Sequence, residues 1–222
     1  MAIALNSAHS LRTVIDGSSL TFPDVKTFIL ASASPARRKL LAQAGIAAQV
    51  IVSGVDESVV QAGDAASLAQ TLAGLKARAV LGTLADPGAL VLGCDSVLAF
   101  DGQILGKPGT AAEATARWQA MRGRSGVLYT GHCLLDAATG EAAEEVVGTT
   151  VHFATPDDDE IAAYVATGEP LEVAGAFTID GLGGAFVAGI EGDHTNVVGL
   201  SVPTLRLLLA RLGVPLVSLW SS

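Results

Sequence analysis

The chain has 222 residues, half of them hydrophobic and 16% charged, which is enough to bury a real core in one large domain or two small ones. That balance excludes a disordered chain, and no uninterrupted apolar run approaches the roughly 20 residues that cross a bilayer. A net charge of −9 with only 13 Lys and Arg argues against a broad nucleic-acid surface, so neither a nucleic-acid polymer nor a membrane is an expected partner.

Residues 1–26 read as an N-terminal extension. They carry one short β-like run at 11–15 and a turn-rich Asp16-Gly17-Ser18-Ser19, consistent with an edge hairpin. The start, MAIALNSAHS, lacks the basic opening and long apolar centre of a secretory signal, and the two cysteines, too few for a disulfide framework, lead to the expectation of a reduced, cytoplasmic setting. Residues 27–222 read as a single domain. An extended Phe28-Ile29-Leu30 breaks at Ser32 and Ser34. Ser34 reads as a helix N-cap and Pro35 as the first helical residue, where its missing N–H costs nothing. Leu40, Leu41 and Ala44 form the apolar stripe, and Gly45 stands at the left-handed C-terminal position. Strand, tight turn and helix gather two hydroxyls, free N–H groups, Arg37 and Arg38 at the positive end of a helix dipole, which suits phosphate. The same pattern also serves an ordinary capped helix with a solvated basic face.

Residues 46–52 read as a strand that ends in a turn carrying Asp56 and Glu57. A helical stripe of Leu68, Leu72, Leu75 and Ala79 follows over 65–81, with Lys76 at its border. Residues 90–100 are the most strand-like run in the chain, and Asp95 sits within it among Val, Leu and Phe. A carboxylate in such a run is a local inconsistency that points to function, although Gly93 would also permit a bulge that leaves it in water. Asp101-Gly102 signals a hairpin, Thr110 and Glu113 a capping box, and the helix they open runs through Met121. Strands follow at 126–136 and 145–153. The acid-rich 157–160 begins another helix, where dipole complementation explains the acids better than a metal site does. Glycines crowd residues 175–199, implying close backbone approaches, and 203–212 is a closing amphipathic helix. Alternating elements with no repeat imply an α/β fold, a mixed central sheet flanked by helices.

Most familiar chemistries find no support. Cys94 and Cys133 are too few for a disulfide framework or a four-ligand zinc site, and His132 and Cys133, adjacent on a strand, face opposite sides. The four histidines lack metal-ligand spacing, and no dinucleotide-binding or P-loop motif occurs. What remains suits a polyphosphate: Ser32, Ser34 and Arg37 at a helix start, Lys76 and Lys107 as separate cations, Glu57 and Asp95 as acids. Phosphoryl chemistry needs cations for the charge on phosphate oxygens, and carboxylates to hold a divalent metal or deprotonate water.

Seven blocks carry a resemblance. They are S-x-S-P…R at 32–37, V-D-E at 55–57, L-K-A at 75–77, D-S-V at 95–97, G-K-P at 106–108, A-G-A-F-T-I-D-G at 174–181 and N-V-V-G-L at 196–200. In this order they resemble the Maf (septum formation protein) family of nucleoside triphosphate pyrophosphatases, over about residues 27–213. The resemblance implies a nucleoside triphosphate substrate, cleaved to monophosphate and pyrophosphate. It also implies a divalent metal, Mg²⁺ or Mn²⁺, and two lobes with a cleft between them, often as a homodimer. Carried over by position, Asp95 is the general base or metal-linked acid, and Glu57 helps hold the metal. Ser32, Ser34, Arg37, Lys76 and Lys107 bind the triphosphate, and Asp180 joins the substrate-binding set. Ala36 stands where family members carry Arg or Trp, and Asp180 where they carry Gln or Glu. These positions separate a dTTP/UTP-preferring branch from one preferring 7-methyl-GTP and other modified or pyrimidine nucleotides, and the acid at 180 with Tyr129-Thr130-Gly131 leans to the second. Two rival readings share the motifs: a nucleotide-binding regulator of cell division with little or no catalysis, and a phosphatase removing only the terminal phosphate.

Overall fold

The computed structural model describes residues 26–220, together with the backbone of the short antiparallel strands Val14–Ile15 (β1) and Ser18–Ser19 (β2). These two strands make the hairpin expected at the N-terminus; the part of that run at 11–13 lies outside the described residues.

A seven-stranded mixed sheet organises everything else. Phe28–Leu30 (β3) runs parallel to both Ala48–Val50 (β4) and Leu90–Phe100 (β5). Beyond β5 the sheet continues antiparallel through Ser125–Asp136 (β7), Ala142–Phe153 (β8) and Val187–Glu191 (β9). Gln103–Leu105 (β6) folds back on the far end of β5 through Asp101 and Gly102, both at positive φ as a tight hairpin requires. The strand expected at 46–52 is shorter than its apolar run: only β4 pairs in the ladder, and Ile46 instead makes an isolated bridge to Trp220.

The pleat of β5 sorts its side chains between two layers. Odd positions face Ala65–Leu81 (α2), packing Val91 with Ala73, Ala77 and Val80. Even positions face Pro35–Gln43 (α1) and Val202–Arg211 (α6) at one end, joining Leu92 and Cys94 to Leu41, Leu205 and Leu209. At the other end, Leu98 and Phe100 meet an aromatic cluster formed by Trp118 of Ala111–Met121 (α3), Tyr164 of Asp158–Ala166 (α4), Phe153 and Phe177. Two lobes therefore share one sheet. One lobe is built on β3, β4, α1 and α6, the other on β6, β9, α3 and α4.

Helix α2 buries only part of the stripe the sequence suggests: Leu72 is buried, Leu68 and Ala79 are half-buried, and Leu75 is exposed. The buried face is Ala69, Leu72, Ala73, Lys76, Ala77 and Val80. The reason lies in the sheet. A Cβ on Gly93 would fall 2.2 Å from the Ala73 carbonyl oxygen, and one on Gly131 would fall 2.3 Å from that of Ala69. Where the helix crosses Gly93 and Gly131 it lies so close to β5 and β7 that only small residues fit at the contact, so size rather than hydrophobicity selects Ala69, Ala73 and Ala77 there. At α3 the Thr110 side chain caps the Glu113 amide as expected, but the Glu113 carboxylate accepts from Gly109 N and pairs with Arg117 rather than closing a capping box.

Candidate active site

Strand β5 has neighbours on one edge at both of its ends but not in the middle. Residues 90–92 pair with β3 and residues 98–100 with β6, while Gly93 to Val97 have a strand neighbour only on the β7 side. This gap in the sheet is the floor of a cleft of about 750 Å³ between the two lobes. Asp95 and Ser96 lie in the gap. Being consecutive, they present their side chains to opposite layers, and both reach the cleft.

On the α2 side, the glycine-seated helix brings Lys76 against Asp95. Lys76 Nζ lies 2.5 Å from Asp95 Oδ1 and 2.6 Å from Glu57 Oε1 of the single turn Glu57–Val59. Lys76 and Asp95 are both buried, whereas the Glu57 side chain is 51% exposed and faces the mouth. Burial pushes the Asp95 carboxyl above the usual carboxylate range; the Lys76 and Arg37 charges pull it back in part, and Glu57 adds to the rise.

On the other side, Arg37 reaches the cleft from the first turn of α1. Its Nε donates to the Gly199 carbonyl at 2.7 Å, Nη1 to Ser32 Oγ at 3.1 Å and Nη2 to Ser96 Oγ at 3.0 Å. The direction of the chain behind it is fixed. Thr130 Oγ1 donates to the Asn196 carbonyl at 3.0 Å, so the 2.9 Å contact from Ser96 is one in which Ser96 donates to Thr130. Arg37 is thereby held in place with two N–H donors left over, one on each Nη. Ser34 caps α1 through the Arg37 amide, while Ser32 Oγ accepts from the Ser34 amide as well as from Arg37. The turn uses their lone pairs and leaves both hydroxyl protons for an anion.

Lys107 comes from the second lobe. The carbonyl of the preceding Gly106 accepts from Arg117 Nη1 at 2.6 Å and from Gly175 N at 3.0 Å, which ties the end of β6 to α3 and to the glycine-rich segment. That segment contributes Phe177, Thr178, Ile179 and the exposed Asp180 to the opposite wall. Ser32, Ser34, Arg37, Glu57, Lys76, Asp95, Lys107 and Asp180 all line this one cleft.

A family model described as Maf-like protein matches residues 27–212. A relative from Salinispora tropica named nucleoside triphosphate pyrophosphatase is 64% identical over 196 residues, covering 87% of this chain and 87% of the relative. Proteins of the same name from Streptomyces coelicolor and Streptomyces avermitilis are 58% and 56% identical, each covering 88% of this chain and 95% of the relative. The chain belongs to the Maf family.

Among the described residues of this Maf chain, no group of three His, Cys, Asp or Glu side chains could hold a metal unaided. The donor set nonetheless fits Mg²⁺ or Mn²⁺. Two carboxylates, Glu57 and Asp95, converge on one positive centre at Lys76 Nζ, and hard divalent ions are commonly held by one or two carboxylates together with substrate phosphates. Among the described residues no histidine or cysteine lines the cleft, and His132, Cys94 and Cys133 are buried elsewhere. Sequence reasoning missed the Gly199 carbonyl, which holds Arg37 in this Maf site, and the hydroxyl of Thr130, which orients the Ser96 that Arg37 meets. Their only signal was membership in matching blocks or strands, because a supporting contact leaves no spacing pattern. No helix among the described residues is long and apolar enough to cross a membrane.

Proposed function

We propose that this chain hydrolyses the α–β phosphoanhydride of a nucleoside triphosphate, releasing a nucleoside monophosphate and pyrophosphate. The observation that carries the reading is the convergence of Arg37, Lys76 and Lys107, from three separate elements, around the buried Asp95 at the open edge of β5. The name carried by the relatives agrees with it.

The triphosphate lies along the gap, its oxygens taking the two spare Arg37 N–H groups, the Ser32 and Ser34 hydroxyls and the Lys107 ammonium. Asp95, ionised, accepts a proton from a water whose oxygen attacks the α-phosphorus. The bond from that phosphorus to the bridging oxygen breaks, and its electron pair leaves with pyrophosphate. Lys76 and Arg37 stabilise the charge that develops on the phosphate oxygens. A divalent cation held by Glu57 and Asp95 would supply charge neutralisation of the phosphates and of the leaving group. The Asp180 carboxylate at the rim favours a base that carries positive charge, as 7-methylguanine does, over its uncharged parent.

The test is a panel of ordinary and modified triphosphates incubated with Mg²⁺ or Mn²⁺ in ¹⁸O-labelled water. Pyrophosphate with label in the monophosphate is expected, and chelation with EDTA should stop turnover until metal is restored. Label in orthophosphate would instead mark terminal-phosphate removal, and binding without turnover would leave only a regulator.

A further inference from the structure

Outside the charged centre, one carboxylate is surrounded by donors that all come from, or lead to, the same piece of the cleft wall. Glu169, at the start of the single turn Glu169–Glu172, accepts the Thr178 hydroxyl and, on the same Oε1, the Gly183 amide at 3.0 Å and the Tyr164 hydroxyl at 3.2 Å. Its Oε2 accepts the Leu182 amide at 3.1 Å. Tyr164 Oη in turn accepts the Thr178 amide at 3.2 Å, so Thr178 is tied to the carboxylate by both side chain and backbone. The backbone closes tightly here. A Cβ on Gly181 would lie 2.8 Å from both carboxylate oxygens, and one on Gly183 would lie 2.3 Å from Tyr164 Oη. Burial raises the Glu169 pKa, but the hydrogen bonds from Thr178, Gly183, Leu182 and Tyr164 outweigh it and hold the group below its ordinary value. Between the tied ends stand Thr178, Ile179 and Asp180, which face the cleft, while Glu169 itself does not line it.

We infer that Glu169 is a positioning residue for substrate binding: it clips residues 178–183 into the shape that presents Thr178, Ile179 and Asp180 to the nucleotide. The inference deepens the pyrophosphatase reading and rests on it for its kinetic arm. Glu169 acts on the wall and not on the reacting phosphorus, so its loss falls on substrate affinity.

Steady-state kinetics of E169A and E169Q test this, with D180N and the E169Q/D180N double variant alongside. E169A should raise KM roughly tenfold and change kcat less than about twofold, a loss of the size expected for hydrogen bonds to a charged group. E169Q, which keeps one acceptor oxygen, should recover part of the affinity. In the double variant the two KM effects should fall short of multiplying, because both act through the same wall. Calorimetric affinity for α,β-methylene-UTP should weaken in parallel, and this arm stands even if wild type releases no pyrophosphate. That last result would remove the pyrophosphatase reading alone. The clip is overturned if folded E169Q and E169A keep wild-type KM and analogue affinity while only their melting temperature falls, or if kcat falls with KM unchanged. Should E169A not fold, E169Q alone decides between these outcomes.

Discussion

Asp95 is the residue whose chemistry is most exposed to experiment. Buried, and lifted above the usual carboxylate range, it must be ionised to take a proton, so kcat/KM should fall as pH drops through its pKa. The neighbouring Lys76 ammonium lowers that pKa, and Lys76→Met should therefore move the acid limb to higher pH as well as weakening triphosphate binding. A pH–rate profile of the two proteins checks the sign; an unmoved limb would detach Asp95 from the proton transfer. Asp95→Asn keeps the shape and can still accept from Lys76, so it should lose turnover by roughly 10³-fold or more while circular dichroism and melting stay close to wild type. This residue is legible in the sequence alone, because a carboxylate inside an apolar strand contradicts its surroundings. Glu169 is not. Its partners lie 5 to 14 positions away in a loop, and Gly-Glu-Pro looks like any helix start.

Among the elements, α2 decides whether the site exists. Its seat on Gly93 and Gly131 sets the depth at which Lys76 meets Asp95. Gly93→Ala would drive a methyl into the Ala73 carbonyl and should cost about 3 kcal/mol or more, read as a shift in denaturant midpoint. Gly63→Ala, with nothing within 4 Å of its new Cβ, should change stability by only a few tenths of a kcal/mol to about 1 kcal/mol, in the stabilising direction. Local patterning described α1 well, with Ser34 as cap and Gly45 at φ +80°, because caps act over neighbouring residues. It misplaced Leu75 and missed the small residues Ala69, Ala73 and Ala77 of α2, where the constraint comes from glycines about 20 to 60 residues away in the chain. A second element-level device is His132 of β7. Its Nε2 accepts the Ser201 amide at 2.9 Å, so Nδ1 carries the proton toward the Glu145 carbonyl, and burial lowers its pKa to about 4. Between about 6.5 and 4 the unfolded chain binds this proton and the folded one does not, so stability is full above that window and declines as pH falls through it. The loss amounts to roughly 3 kcal/mol at the bottom of the window. In His132→Gln this part of the acid slope should vanish, as chemical denaturation at pH 7 and pH 4.5 would reveal.

For the whole molecule, the sheet is common property of two lobes with separate apolar cores on its even face and one continuous helix, α2, along its odd face. A ligand held by Arg37 from one lobe and Lys107 from the other stabilises both at once. A triphosphate analogue with Mg²⁺ at 100 times its Kd should add about 2.7 kcal/mol and move a single, undivided melting transition upward. Two transitions, of which only one responds, would mean that the cleft residues belong to one lobe. The sequence carried the mixed α/β character and the order of the elements. It could not carry the pairing of β5 with β3 at one end and β6 at the other, which arises from contacts between distant segments.

That interrupted edge has a consequence for how such a protein can change its clientele. The residues of the gap answer to the helix behind them and to β7 beside them, whereas the rim opposite is supplied by a loop, at 178–180, that has no part in the ladder. Altering that loop re-tailors the entrance while the workbench beneath, Glu57 included, stays as it was. Inheritance can thus try new guests without rebuilding the house.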